Sequence, residues 1–373
     1  VIDDDQMTRI DGKRAFILGV YETPKEDALY DELAASGVNL VYSGADTGVM
    51  DKLAARGMFA WINTGGQIDL SDDPEGGKKH LADLVAKFGG HPALITWEVP
   101  DEALWNCWYG ATMWRRNAEV RQQREKIAAL EDKALAEKLA KDRGEVERLF
   151  GTGRPAEAEA LADAIWEALG ETQPQPGLNL SNARERADKM AEGMLAGYEE
   201  LRRLDPAHPV VMNHAPRNQL AQLAAFNKAA DIVGCDIYPV PANGKVGHSD
   251  LSNRHLSCVG DYTQRMGQAA PGKPVWMVLQ GFGWGDIQPD RPEAERKEMR
   301  RPTLPETRFM AYDAIVRGAR GILYWGSHAV EKDSPFYGEL LALVSELRDL
   351  QSVLAAPDAD LNITTAYEPT LGS

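Results

Sequence analysis

The chain has 373 residues, with 57 Asp and Glu against 41 Lys and Arg and a formal charge of −16. That balance argues against nucleic acid, whose phosphate backbone is held by clustered cations, and no run of about 18 apolar residues is present to cross a membrane. The three cysteines, Cys107, Cys235 and Cys258, are odd in number and lack metal-type spacing, so neither a disulfide framework nor a zinc site is expected.

Ala15 to Tyr21 is an apolar run of the kind that forms a buried strand. Thr23-Pro24-Lys25-Glu26 follows as a helix start, with Thr23 to cap, Pro24 at the first helical position and Glu26 to complete a capping box. That helix carries Leu29 and Leu33 and stops near Gly37; Val38 to Tyr42 is strand two. A short helix over Met50 to Arg56 ends at Gly57, and Met58 to Asn63 is strand three. Gly65 to Gly77 reads as a loop and His80 to Phe88 as a helix. Strand four, Ala93 to Trp97, runs directly into Glu98, Asp101 and Glu102.

After a helix over Ala183 to Leu204, Pro209 to His214 is strand five, Ile232 to Tyr238 strand six, and Pro274 to Gln280 strand seven. A helix over Arg308 to Arg317 leads to strand eight, Gly321 to Trp325, and a helix over Gly338 to Leu350 closes the pattern. Eight strands separated by helical sequence predict an α/β fold, a (β/α)8 TIM barrel, with residues 1–373 as a single domain. A doubly wound sheet would carry a Gly-rich phosphate turn after its first strand, and Gly19 alone is not one.

Residues 104–180 are too long for a barrel loop. Apolar residues recur at helical spacing at Ile127, Leu130, Leu135 and Leu139 and again at Leu161, Ile165, Trp166 and Leu169. This predicts a helical insertion after strand four, over the face where barrel enzymes build their sites, serving as a lid, a cleft wall, a homo-oligomer contact or a solvated decoration.

Barrel sites are assembled from strand C-termini. The candidates are therefore Tyr21, Glu22, Asp46, Asn63, Glu98, Asp101, Glu102, Asn213, His214, Asp236, Tyr238, Gln280, Trp284, Trp325 and His328. Two carboxyl groups facing one another are what glycosidic bond cleavage needs, one donating a proton to the leaving oxygen and the other acting as nucleophile or activating water. Trp97, Trp105, Trp108, Trp284 and Trp325 offer flat apolar faces for sugar rings. The partner expected is a carbohydrate, with no cofactor. The rival readings are a metal-dependent sugar isomerase or lyase, using Glu22, Asp46, Asp236, His214 and His328 as ligands, and a non-catalytic carbohydrate-binding barrel.

The segments 11–21, 91–102, 231–239 and 273–282 resemble the (β/α)8 glycoside hydrolases of the clan A type, including β-galactosidase-like members. The resemblance implies that Glu102 is the acid/base, since the clan places that glutamate at the end of strand four. The clan's nucleophilic glutamate lies at the end of strand seven, where this chain has Gln280. Three explanations are open: a second carboxylate from another strand end, Asp236 first, Glu22 next, or Asp46, activating water for inversion, which is preferred; Gln280 replacing a catalytic acid in an engineered or degenerate protein; or a barrel that binds a glycan without cleaving it. The sequence starts at Val1 and reads as a processed or trimmed product; a periplasmic or secreted location is favoured over a cytoplasmic one.

Overall fold

A computed structural model describes residues 1–241 and 253–359 of the chain. The eight expected strands are β1 (Ile17–Val20), β2 (Leu40–Tyr42), β3 (Phe59–Asn63), β4 (Leu94–Glu98), β5 (Val210–His214), β6 (Ile232–Ile237), β7 (Val275–Gln280) and β8 (Ala319–Trp325). Each pairs in parallel with the next, and β8 returns to β1 with Gly321 opposite Ile17, which closes the barrel. Parallel neighbours need a crossover, and the helices that supply it wrap the barrel and bury its outer face. A two-stranded antiparallel hairpin, Thr8–Ile10 with Lys13–Ala15, precedes β1.

Successive side chains of a strand face opposite sides, and this alternation sorts the barrel into an inside and an outside. Thr96 and Glu98 of β4, Val211 and Asn213 of β5, Trp276 and Val278 of β7, and Leu323 of β8 line the interior. The indole of Trp276 fits there because Gly321 faces it, and a Cβ at Gly321 would lie 2.8 Å from the ring. The residues between them, such as Trp97, Met212, Met277 and Ile322, are buried under the helices.

The first helix begins at Asp27, and its N-cap Glu26 makes no side-chain cap bond. The expected Thr23/Glu26 capping box does not form, because the Thr23 hydroxyl donates to the carbonyl of Tyr42 on the neighbouring strand instead. A capping box does occur at Thr303 and Glu306, starting a helix at Leu304, one turn before the expected Arg308. The helix expected from His80 starts at Pro74, where Asp73 accepts from the Gly76 N–H, so the acidic loop is shorter than predicted.

Between β4 and β5 the chain forms helices Ala103–Met113, Glu119–Ala128, Lys133–Gly151, Pro155–Ala168 and Ala183–Leu204, with one π-helical segment at Trp114–Ala118. Ile127, Leu139, Val146, Leu149, Ala158, Ala162 and Ile165 form an apolar cluster separate from the barrel core. Beside it, the buried Arg115 donates to Glu119, Asp163 and Asn179.

Candidate active site

Helix Ala103–Met113 starts almost at once after β4, and the turn into it puts Glu102 in the left-handed region at φ 50. A non-glycine residue pays steric strain there, of order 1–3 kcal/mol, and such strain persists only where the surroundings fix it. Here the Glu102 N–H donates to the Asn213 carbonyl at 3.2 Å, tying the turn to β5. Its side chain meets the carboxyl of Asp236 from β6 within hydrogen-bonding reach.

Asn213 organises the acids. Its amide nitrogen donates to Asp101 at 2.9 Å and also to Asp236. Asp236 receives the Tyr238 hydroxyl as well. Asn213 comes close because Gly234, on the next strand, has no side chain to hold it off; a Cβ there would sit 3.2 Å from the Asn213 Oδ1.

Three acids this close cannot all be charged at neutral pH. Burial pushes Glu102 up to about 7, and the charge of Asp101 adds to the effect while the contact with Asp236 opposes it. Burial raises Asp236 well above the usual carboxylate range, with Asp101 and Glu102 adding and Asn213 and Tyr238 opposing. Asp101 is raised in the same direction, by desolvation of its carboxyl against Asn213. Two carboxyls in contact hold one proton between them. Asn213 and Tyr238 stabilise the ionised form of Asp236, but burial outweighs them, and the single proton is shared across the Glu102–Asp236 contact.

Below this group, Glu98 is held by the Tyr21 hydroxyl at 2.7 Å, the Trp61 indole N–H at 3.1 Å and the Asn63 amide at 3.0 Å. Burial, and next the charge of Asp101, raise it to about 7 against those three donors. Glu98, Tyr21 and Asn63 thus make a polar floor beneath the acid pair.

The acids open into a cleft of about 500 Å³. Tyr238, Trp284 and Trp325 wall one side, with Tyr238 and Trp325 stacked at 5.6 Å. Trp105, Tyr109 and Thr112 wall the other, and Ala215, Pro216 and Arg217 complete the lining. Tyr109 was not singled out by the sequence pattern, although it lies one helical turn beyond Trp105. Trp61 was not singled out either, although it sits on β3 with the inward parity of Asn63.

Several candidates stand elsewhere. Trp97 and His214 have outward parity: the Trp97 indole donates to Asp205 at 2.9 Å, and His214 bonds Asn227 at 2.8 Å. Burial lowers His214 to about 4, leaving it neutral. Both lie under the helices, so sugar contact is not open to them. Glu22 is buried against Ser327 and Lys332 and stands apart from the acid pair. Asp46 caps the helix Thr47–Ala54 by accepting from Gly48 and Val49. Trp108 packs on the barrel core, and His328 is exposed beside Trp325 without lining the cleft. Gln280 is fully buried, and its amide is taken up by main-chain groups of Val240 and Phe282. It is a strut and not a sugar ligand.

No protein-family model matches the chain, and no curated protein matches it. Solved structures do. A cold-adapted β-galactosidase from Rahnella sp. R3 superposes with a TM-score of 0.55 at 14% identity, over 94% of this chain and 58% of that one. The β-galactosidase of the haloarchaeon Halorubrum lacusprofundi gives 0.55 at 14%, over 89% and 58%. A catalytic mutant of the GH42 β-galactosidase Gan42B from G. stearothermophilus gives 0.55 at 15%, over 92% and 58%. The chain shares the (β/α)8 barrel fold of these β-galactosidases. The chain spans under three-fifths of the length of these neighbours. Among the described residues, no helix is long and apolar enough to cross a membrane.

Proposed function

We propose that this protein is a glycoside hydrolase acting on an oligo- or polysaccharide, with Glu102 as general acid and Asp236 as nucleophile. The observation that carries the reading is the contact between these two carboxyls, at the base of a cleft with aromatic walls on both sides. Inverting enzymes hold their two acids about 6.5–9.5 Å apart to admit a water, and retaining enzymes about 5–5.5 Å. Carboxyls within hydrogen-bonding reach sit closer than either spacing and leave no gap for the water of inversion; the retaining route is taken here, and the anomeric configuration of the product tests it.

In the first step Glu102 gives its proton to the glycosidic oxygen as the bond to the anomeric carbon breaks. Asp236 attacks that carbon and forms a glycosyl ester. Water then enters, Glu102 takes its proton, and the ester bond to Asp236 breaks to release the sugar. Asn213 and Tyr238 stabilise the charge on Asp236 once Glu102 takes the shared proton, and Asp101 favours the protonated form of Glu102 by repelling its negative form. The aromatic faces bind the apolar sides of the sugar rings.

The metal-dependent reading lacks support: among the described residues, no three His, Cys, Asp or Glu side chains group in a way that could hold a metal ion. The non-catalytic barrel has one observation in its favour, the buried amide of Gln280 where the clan has its nucleophile. A panel of oligosaccharides assayed with wild type, Glu102→Gln and Asp236→Asn, with and without chelator, separates the readings. Hydrolysis with retained anomeric configuration, lost in both variants and indifferent to chelator, is the expected result. Binding without turnover by the wild type would sink the hydrolase reading.

A further inference from the structure

On helix Ala103–Met113 the rings of Trp105 and Tyr109 lie parallel, with centroids 4.0 Å apart and planes 17° from one another. They are four residues apart, so they share one face of the helix. That face lines the acid cleft, yet Tyr109 keeps 41% of its surface exposed and Trp105 is half-buried. Met113, one further turn along, is 42% exposed. Among the described residues neither the Trp105 indole N–H nor the Tyr109 hydroxyl has a hydrogen-bond partner, so the polar edges of the stacked pair face the cleft or solvent together with its apolar surface.

A large aromatic ring left in water forgoes burial that it could have had in the core. Stacked face to face, the two rings cover one face of each other and hold the outer face of each rigidly in place, with the hydrogen-bonding edges beside it, in the cleft that the acids line. That is the surface a pyranose ring fits, with its C–H face on the ring system and its hydroxyls at the rim. On the opposite wall Trp325 is half-buried and backed by the buried ring of Tyr238, close to Asp236. The acids thus lie between the Trp105/Tyr109 stack and Trp325.

We infer that Trp105 and Tyr109 form a distal sugar subsite, and that the ligand is an oligosaccharide of at least three units running from the Tyr238/Trp325 wall across the acids and along helix Ala103–Met113. The inference rests on the carbohydrate reading of the cleft, but not on its hydrolytic step.

The test measures binding separately from turnover. Calorimetric titration of the full chain carrying Glu102→Gln uses galacto-, gluco- and galacturono-oligosaccharides of two to six units as probes. Affinity rises from two units to three or four, and adding Trp105→Ala or Tyr109→Ala flattens that rise by about three- to tenfold per ring. Circular dichroism of each variant checks folding, and alanine suits an exposed helical position. Affinity that is independent of chain length, or a rise that survives both substitutions, overturns the subsite. If the rise is present and platform-dependent while the wild type releases no reducing sugar, the subsite stands and the hydrolase reading falls. If none of the glycans binds, both fall.

Discussion

Gln280 is clipped to Val240 by a pair of hydrogen bonds: its Oε1 accepts from the Val240 N–H at 2.9 Å and its Nε2 donates to the Val240 carbonyl at 2.8 Å. The second amide proton goes to the Phe282 carbonyl at 3.1 Å. A glutamate could accept the Val240 N–H but would set an oxygen against two carbonyls. Gln280→Glu therefore does not recreate a clan A nucleophile; it costs about 1–3 kcal/mol for the lost donors. The midpoint of urea unfolding measures this. A variant of unchanged stability with raised turnover would show that the position is free for catalysis.

Asn213 donates to both Asp101 and Asp236, and each of those bonds opposes protonation of the acid it reaches. In Asn213→Ala both acids titrate higher, so Asp236 is ionised only at higher pH. The acid limb of the kcat/KM profile shifts upward, and kcat falls roughly 10²-fold, the lower end of what acid–base groups contribute. An unmoved acid limb would reduce Asn213 to a packing residue.

The barrel was legible because buried parallel strands are continuous apolar runs, and all eight fall where those runs predict. The site was legible only in part, because nearness to a strand end does not say which way a side chain points. Trp97 and Glu98 are neighbours on β4, yet one faces helices and the other the barrel interior. Counting parity back from Asn213 would have excluded His214 and kept Asn213. Gln280 has the inward parity of Trp276 and Val278, and only the path of the chain around Val240 removes it from the cleft. The hairpin at Thr8–Ala15 went unread because each of its strands has three residues. The Thr303/Glu306 capping box was present in the sequence, but the apolar pattern beginning at Arg308 drew the boundary too late.

Glu98 makes stability pH-dependent in a direction unusual for a carboxylate. Its folded value, about 7, lies above the usual value of 4.5, so between those limits the folded chain holds a proton that the unfolded chain has lost. This contribution is fully present below about pH 4.5 and is lost as pH rises through 7. Glu98→Gln keeps an oxygen for Trp61 and Asn63 and removes the titration. The variant gains on wild type across that window by up to about 1.4 kcal/mol per pH unit, the value of one proton. Urea unfolding at pH 5, 6, 7 and 8 measures the slope. Parallel curves for the two proteins would mean that Glu98 is ionised throughout.

The alkaline limb of activity belongs to Glu102. As general acid it must carry its proton, so kcat/KM falls as pH rises through about 7. The charge of Asp101 is the second cause of that raised value, after burial. Asp101→Asn removes the charge and keeps an oxygen for the Asn213 amide, so the acids stay in place while Glu102 loses its proton more easily. The limb therefore moves to lower pH, and activity at pH 7 drops more than activity at pH 5. The acid limb moves the same way, because Asp101 also raises Asp236. A profile in which the alkaline limb stays fixed or moves upward in Asp101→Asn would assign that limb to a group other than Glu102.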